Sequence, residues 1–99
     1  MRRILVHTAV ESRSSHRGRL DIIAHILSSA TCGVRKTSIM YKCNLSFRQL
    51  ETYLGFLLNK GLLNMFTRKE SATSQYFETT ERGMDFLRAY RNLEALMSV

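Results

Sequence analysis

The 99-residue sequence predicts a mostly helical α+β fold of three helices, a β-hairpin and a further C-terminal helix, and three observations carry that prediction. Residues 45 to 63, LSFRQLETYLGFLLNKGLL, have the pattern of a helix capped at its start and stopped by a glycine. The same stretch runs straight into one β-prone segment, which a second follows after a polar tip. Two shorter amphipathic patterns precede it, and a longer one closes the chain. A hydrophobic content of 44% at this length suits one domain with a small core.

Residues 1 to 18 divide into a β-prone piece, Ile4 to Val10, and the polar stretch ESRSSHRG, and they are read as a basic N-terminal arm. The opening MRRILVHTAV imitates a secretory leader, but His7 and Thr8 interrupt its apolar run, so no leader is expected. No apolar run approaches the roughly 18 residues that span a bilayer, so no membrane partner is expected.

The first helix is expected from Arg19 to Cys32, with Leu20, Ile23, Ala24, Ile26, Leu27 and Ala30 as its inner stripe and Gly33 as its stop. Thr37 is expected to cap a short second helix through Cys43, with Ile39 and Met40 turned inward and a turn at Asn44-Leu45. The third helix follows from Ser46 to Lys60. Ser46 and Gln49 form a capping box, and Gly61 supplies the left-handed stop. At about 100° per residue, Phe47, Leu50, Leu54, Leu57 and Leu58 share one face, while Arg48, Thr52, Gly55 and Asn59 lie nearly opposite.

Leu62 to Arg68 and Gln75 to Thr79 are expected as two strands around the tip KESATS, residues 69 to 74. Thr80 caps the last helix, in which Phe86, Tyr90, Leu93 and Met97 recur at the spacing of a coiled-coil seam. A short helix, a tight turn, a longer helix and a hairpin make a winged helix-turn-helix over residues 19 to 80, with 81 to 99 as a dimerisation helix.

Charge divides the chain in the same sense. The net charge is +7. Residues 1 to 69 hold twelve Lys/Arg against three acids, a net +9, and residues 70 to 99 hold three against five, a net −2. A polyanionic partner is indicated for the first part. On the third helix Arg48, Gln49, Thr52 and Asn59 suit the major groove of a duplex, where Arg pairs bidentately with guanine and Gln or Asn with adenine. Ser46 stands at the start of that face, and a solvated helix face is the plainer alternative. Arg35, Lys36 and Lys42 flank the second helix, and Arg68 and Lys69 mark the wing, so cations on both sides would meet phosphates. Mid-helix Gly55 costs about 1 kcal/mol relative to alanine, which close approach to a backbone would explain. The arm adds Arg2, Arg3, Arg13, Arg17 and Arg19, able to follow a minor groove or to form only a tail. Tyr41, Tyr53 and Phe56 are read as rim packing rather than base-stacking platforms.

Catalysis is not expected. His7, His16 and His25 could be grouped with Ser, Cys and Asp21 on paper, but neither a nucleophile elbow nor a phosphate-cradling loop frames them. His25 lies off the apolar stripe and is read as a surface residue. Cys32 and Cys43 have neither a CxxC partner nor zinc spacing, so they are expected as reduced, mostly buried thiols without metal or cofactor. No small-molecule ligand is evident.

The runs RLDIIAHIL, TSIMYKCNLSFRQLETYLGFLLNKGLL and FETTERGMDFL resemble the small archaeal winged-helix regulators, and the related archaeal chromatin proteins that dimerise through a C-terminal coiled coil. The resemblance covers residues 19 to 97 and rests most on the IMYKCNLS link and the LxxGLL exit. It implies a homodimer that binds double-stranded DNA without metal or cofactor, in the cytoplasm with the nucleoid. By position, Arg48, Gln49, Thr52, Arg68 and Lys69 match where such proteins meet DNA. The arm is additional to that pattern, and the last helix is shorter than the chromatin members' coil. A site-specific regulator is therefore preferred over a nonspecific chromatin protein, and a winged-helix adaptor for protein or RNA is the other alternative.

Overall fold

Helix α1 (Arg19–Ser29) opens the computed structural model, which describes residues 17–98, with the side chains at 71 and 72 left out. The arm as far as residue 16, with Ile4 to Val10, His7 and His16, lies outside the described residues. Gly18 is the N-cap of α1, and its backbone N–H donates to Asp21 Oδ2 at 3.1 Å, which holds a carboxylate in the first turn where the helix dipole favours it. The helix ends at Ser29, one turn before the expected Cys32. Thr79 explains the early end: its N–H donates to the Ala30 carbonyl (3.0 Å) and its hydroxyl to the Leu27 carbonyl (2.6 Å), satisfying acceptors that a longer helix would have used. Gly33, at φ +83°, shapes the turn that follows rather than the helix end.

Strand β1 (Val34–Arg35) has no signature in the sequence, because two residues carry no periodicity. It passes directly into α2 (Lys36–Cys43), whose N-cap is Arg35 in extended conformation with no side-chain cap. Thr37 therefore lies inside the helix and does not cap it. Ile39 and Cys43 are buried and Met40 packs against the core. Asn44, at φ +54°, closes α2 in the left-handed conformation that asparagine tolerates well.

Helix α3 (Phe47–Asn59) carries the expected capping box: Gln49 N–H donates to Ser46 Oγ at 3.1 Å and Ser46 N–H donates to Gln49 Oε1 at 2.9 Å. Gly61, at φ +73°, is the left-handed residue after it. Leu50, Leu54 and Leu57 are buried and Leu58 is half-buried, but Phe47 is 62% exposed, against expectation. It stands in the first turn, and Lys36 Nζ lies over its ring at 5.5 Å. Leu20 likewise faces outward at the first turn of α1, and Ile22 takes a core position in its place.

Strands β2 (Leu63–Arg68) and β3 (Ser71–Thr79) form an antiparallel hairpin with register Leu63↔Thr79 through Thr67↔Gln75. The register then slips to Arg68↔Ser71, a bulge that places extra residues on β3. β3 therefore starts four residues earlier than expected, β2 starts one residue later, and the tip shrinks from KESATS to Lys69-Glu70. β1 pairs with the other edge of β3, giving the order β1-β3-β2.

Helix α4 (Glu81–Met97) begins at Thr80, whose hydroxyl accepts from Gly83 N–H at 3.0 Å and donates to the Gly61 carbonyl at 2.6 Å. Leu87 joins Ile26, Leu27, Ile39, Leu50, Leu57, Leu63 and Phe77 in one continuous core between the helices and the inner sheet face. Burying side chains of this size contributes about 1.5 to 3 kcal/mol each before chain entropy is counted. Cys43 is buried, but Cys32 is exposed because α1 stops short of it. No helix among the described residues is long and apolar enough to cross a membrane.

Candidate nucleic-acid interface

Leu50, Leu54 and Leu57 anchor α3 to the core, and that anchoring decides what its other side presents. Arg48, Thr52, Gly55 and Asn59 recur at four, three and four residues, a stripe roughly 60° wide by helical geometry, and all four are exposed. Within the stripe, Thr52 Oγ1 donates to the Arg48 carbonyl at 3.1 Å, which turns its hydroxyl back onto the helix. No atom outside the helix backbone lies within 4 Å of where a Gly55 β-carbon would stand. Ser46 and Gln49 are exposed as well, but their side-chain oxygens are engaged in the cap.

A groove of about 530 Å³ runs beside this stripe, walled by Gln49, Thr52, Tyr53 and Phe56 on α3 and by Leu20 and Ile23 on α1, with Arg19 and Arg48 at its polar edge. The structure thus adds Arg19 to the surface that carries Arg48. The sequence signal for this was available in the α1 wheel, where Arg19 and Ile23 are one turn apart, but the pairing of the two helices was not. Of the three aromatics expected as rim packing, Tyr53 packs on the core and Phe56 lines the groove beneath Lys60 Nζ (5.8 Å), whereas Tyr41 is 79% exposed.

The cations predicted around α2 separate into different environments. Lys42 is exposed in the last turn. Lys36 is half-buried, and its Nζ pairs with Glu51 Oε2 at 2.5 Å, so its charge is already matched by a carboxylate from α3. Arg35 turns onto the outer sheet face, where its Nε donates to Tyr76 Oη at 3.4 Å. Arg68 lies on the same face with its Cζ 4.3 Å from the Tyr76 ring centre, while Lys69 is exposed at the tip. Arg17 reaches from the end of the arm toward the Asn44 carbonyl (3.4 Å), beside the helix-turn-helix turn.

His25 is exposed, as expected, and among the described residues no group of His, Cys, Asp and Glu could hold a metal. Burial pushes the Cys43 thiol above its ordinary range, against smaller opposing effects of its contact with Ser29 and the nearby charges of Arg17 and Lys42. On α4, Phe86 and Tyr90 are half-buried against the chain's own core, and the Tyr90 hydroxyl donates to Asp21 Oδ1. Leu93 and Met97 are 50% and 63% exposed, together with Leu96 at 76%. The four-residue seam is therefore half engaged and half open.

The sequence profile of the family described as winged helix-turn-helix matches residues 16–98. No curated protein sequence matches the chain. Among solved structures, a DNA-binding protein from Sulfolobus solfataricus is similar over 81% of each chain at 23% identity, with a TM-score of 0.68. The MepR regulator of Staphylococcus aureus in complex with DNA is similar over 96% of this chain and 82% of its own, at 15% identity and a TM-score of 0.71. The PcaV transcriptional regulator of Streptomyces coelicolor is similar over 77% of this chain, which spans 57% of that regulator, at 17% identity and a TM-score of 0.69. These likenesses are likenesses of fold.

Proposed function

This chain belongs to the winged helix-turn-helix family, and on that premise we propose that it binds double-stranded DNA as a transcriptional regulator. Helix 46–60 enters the major groove, and the wing, residues 68–75, lies along the backbone. The observation that carries the reading is the exposed stripe of Arg48, Thr52, Gly55 and Asn59 on a helix held rigidly by its opposite face. Arg48 and Asn59 supply base-reading groups, while Lys42, Arg68 and Lys69 lie to the sides where phosphates would run. Ser46 stations the helix N-terminus toward the backbone. Two of the cations act differently from a plain phosphate contact, since Lys36 is shared with Glu51 and Arg35 with Tyr76.

The active unit is a homodimer joined through α4, with Leu93 and Met97 completing a seam that Phe86 and Tyr90 begin. The exposed apolar side chains Leu93, Leu96 and Met97, beyond the turns of the helix that its own core covers, support this pairing. It would set two reading helices on one duplex, and the protein would reside with the nucleoid in the cytoplasm.

Titration of labelled duplexes across a salt series tests the proposal. Affinity should fall steeply with salt, because each neutralised phosphate releases condensed counterions. Arg48→Ala should reduce discrimination between sites by about 1 to 3 kcal/mol, whereas Lys69→Ala should weaken all sequences alike. Equal losses on every sequence for both variants would leave a nonspecific nucleoid protein. A flat dependence on salt, or stronger binding to an acidic protein or an RNA duplex, would favour the adaptor reading instead.

A further inference from the structure

The outer face of the sheet carries a row that the pairing register dictates. Arg35 is opposite Tyr76, Tyr76 is opposite Phe66, and Arg68 follows Phe66 by two residues on the same strand. The rings of Phe66 and Tyr76 stack at 5.7 Å with planes 24° apart. Onto this pair the two guanidiniums converge: Arg68 Cζ is 4.3 Å from the Tyr76 centre and 5.9 Å from that of Phe66, and Arg35 Cζ is 5.7 Å from the Tyr76 centre. Among the described residues neither arginine has a carboxylate partner. Gly33 makes the room, since a β-carbon there would come within 3.2 Å of Phe66 Cζ and 3.7 Å of Arg68 Nη2.

Two cations gathered on one ring repel each other, and the ring quadrupole offsets only part of that repulsion. Arg35 Nε is turned to the Tyr76 hydroxyl at 3.4 Å, and the remaining guanidinium N–H groups of the two arginines are left for another acceptor. Such a pair is ready for an anion that meets both edges, and the rotamer freedom an arginine would lose on binding has already been given up in folding. Accepting the wing as a DNA-backbone element, we infer that Tyr76 is a positioning residue: it holds Arg35 of β1 and Arg68 of the wing as a preset pair for neighbouring phosphates of the duplex. Tyr76 itself need touch no DNA.

The full-length chain provides two separate readouts. In the free protein, NMR should show the Arg68 side-chain protons shifted upfield by the Tyr76 ring, a shift lost in Tyr76→Leu and kept in Tyr76→Phe. In duplex titrations, Tyr76→Leu should weaken every sequence roughly threefold to tenfold and make the salt slope shallower by about 1, with Tyr76→Phe, which keeps the ring under Arg68 but loses the hydroxyl bond to Arg35, falling between Tyr76→Leu and wild type. Thermal melting of each variant separates these effects from unfolding. The loss from Tyr76→Leu should also fail to add to that from Arg68→Gln, while it should add to that from Lys42→Gln. Additive losses with Arg68→Gln, or a Tyr76→Phe variant as weak as Tyr76→Leu, would overturn the inference. So would an unshifted Arg68 in the free wild-type protein. Absence of salt-dependent duplex binding by the wild type would instead remove the DNA reading, with the NMR result still reporting on the stack.

Discussion

Gly83 lies against the carbonyl of Leu62 so closely that a β-carbon on it would overlap that oxygen and Thr79 Cγ2. The first turn of α4 thereby sits on the root of the wing. Alanine normally favours a helix over glycine by about 1 kcal/mol. Here Gly83→Ala should reverse that sign and destabilise by about 1 to 3 kcal/mol, because backbone must move. Urea denaturation decides it, and a variant as stable as wild type would show that α4 can slide.

Gly55 is the opposite case, with open space where its side chain would be. Gly55→Ala should stabilise the free protein by roughly 0.5 to 1 kcal/mol. Its duplex affinity should fall, since the methyl group would stand on the reading face. Unchanged affinity would mean that DNA does not approach this part of α3.

Glu51 is the acid among the cations of the reading surface, and Lys36 neutralises it. Both side chains remain partly exposed, so the pair contributes at most about 1 kcal/mol to stability. Glu51→Gln should therefore cost little stability, but should tighten binding to all duplexes and steepen the salt slope as Lys36 becomes available. Weaker binding would show that Lys36 needs its partner to hold position.

Cys32 is exposed and Cys43 is buried with its thiol held above the ordinary range, so alkylation near neutral pH should label Cys32 rapidly and Cys43 only on opening. The folded chain keeps the Cys43 proton more firmly than the unfolded chain does. Its contribution to stability is therefore complete below the unfolded thiol's range and is lost as pH rises from there through the higher range of the folded thiol. Stability measured against alkaline pH should fall less steeply in Cys43→Ala than in wild type. Equal labelling rates would place Cys43 at the surface.

Leu93→Glu should shift the chain toward monomer in sedimentation equilibrium and lower cooperative binding to paired sites, with the core intact because Leu93 is half-exposed. Dimerisation equal to wild type, or a wild-type monomer at tens of micromolar, would remove α4 as the joining element.

How much of this was legible in the sequence differs by element. Ser46, Gln49 and Gly61 announce α3 because capping and left-handed stops are local chemistry, complete within four residues. Leu50, Leu54 and Leu57 were legible from their spacing alone. The helical wheel failed at Phe47 and Leu20, since an angle states which way a residue faces and not whether a neighbour is there to meet it, and first turns often overhang their partners. It also misplaced the ends of α1 and α2, which are set by Thr79 and by β1, through bonds that join residues far apart in the chain. The exposed stripe on α3 is set by helical spacing alone, but the Arg35–Tyr76–Arg68 cluster depends on strand register. Likewise, the pairing of Lys36 with Glu51 depends on how α2 packs on α3, which spacing along the chain does not state.

β3 is bonded on one side to the strand that leads into α2 and on the other to the strand that leaves α3. A load applied at Lys69-Glu70 therefore reaches the helix pair at both its entrance and its exit through the strand ladders. The wing behaves as a lever arm of the helix-turn-helix. Evolution or engineering can lengthen the tip freely, whereas a single residue added between Gly33 and Lys36 would shift β1 in its register and twist the reading helix out of alignment.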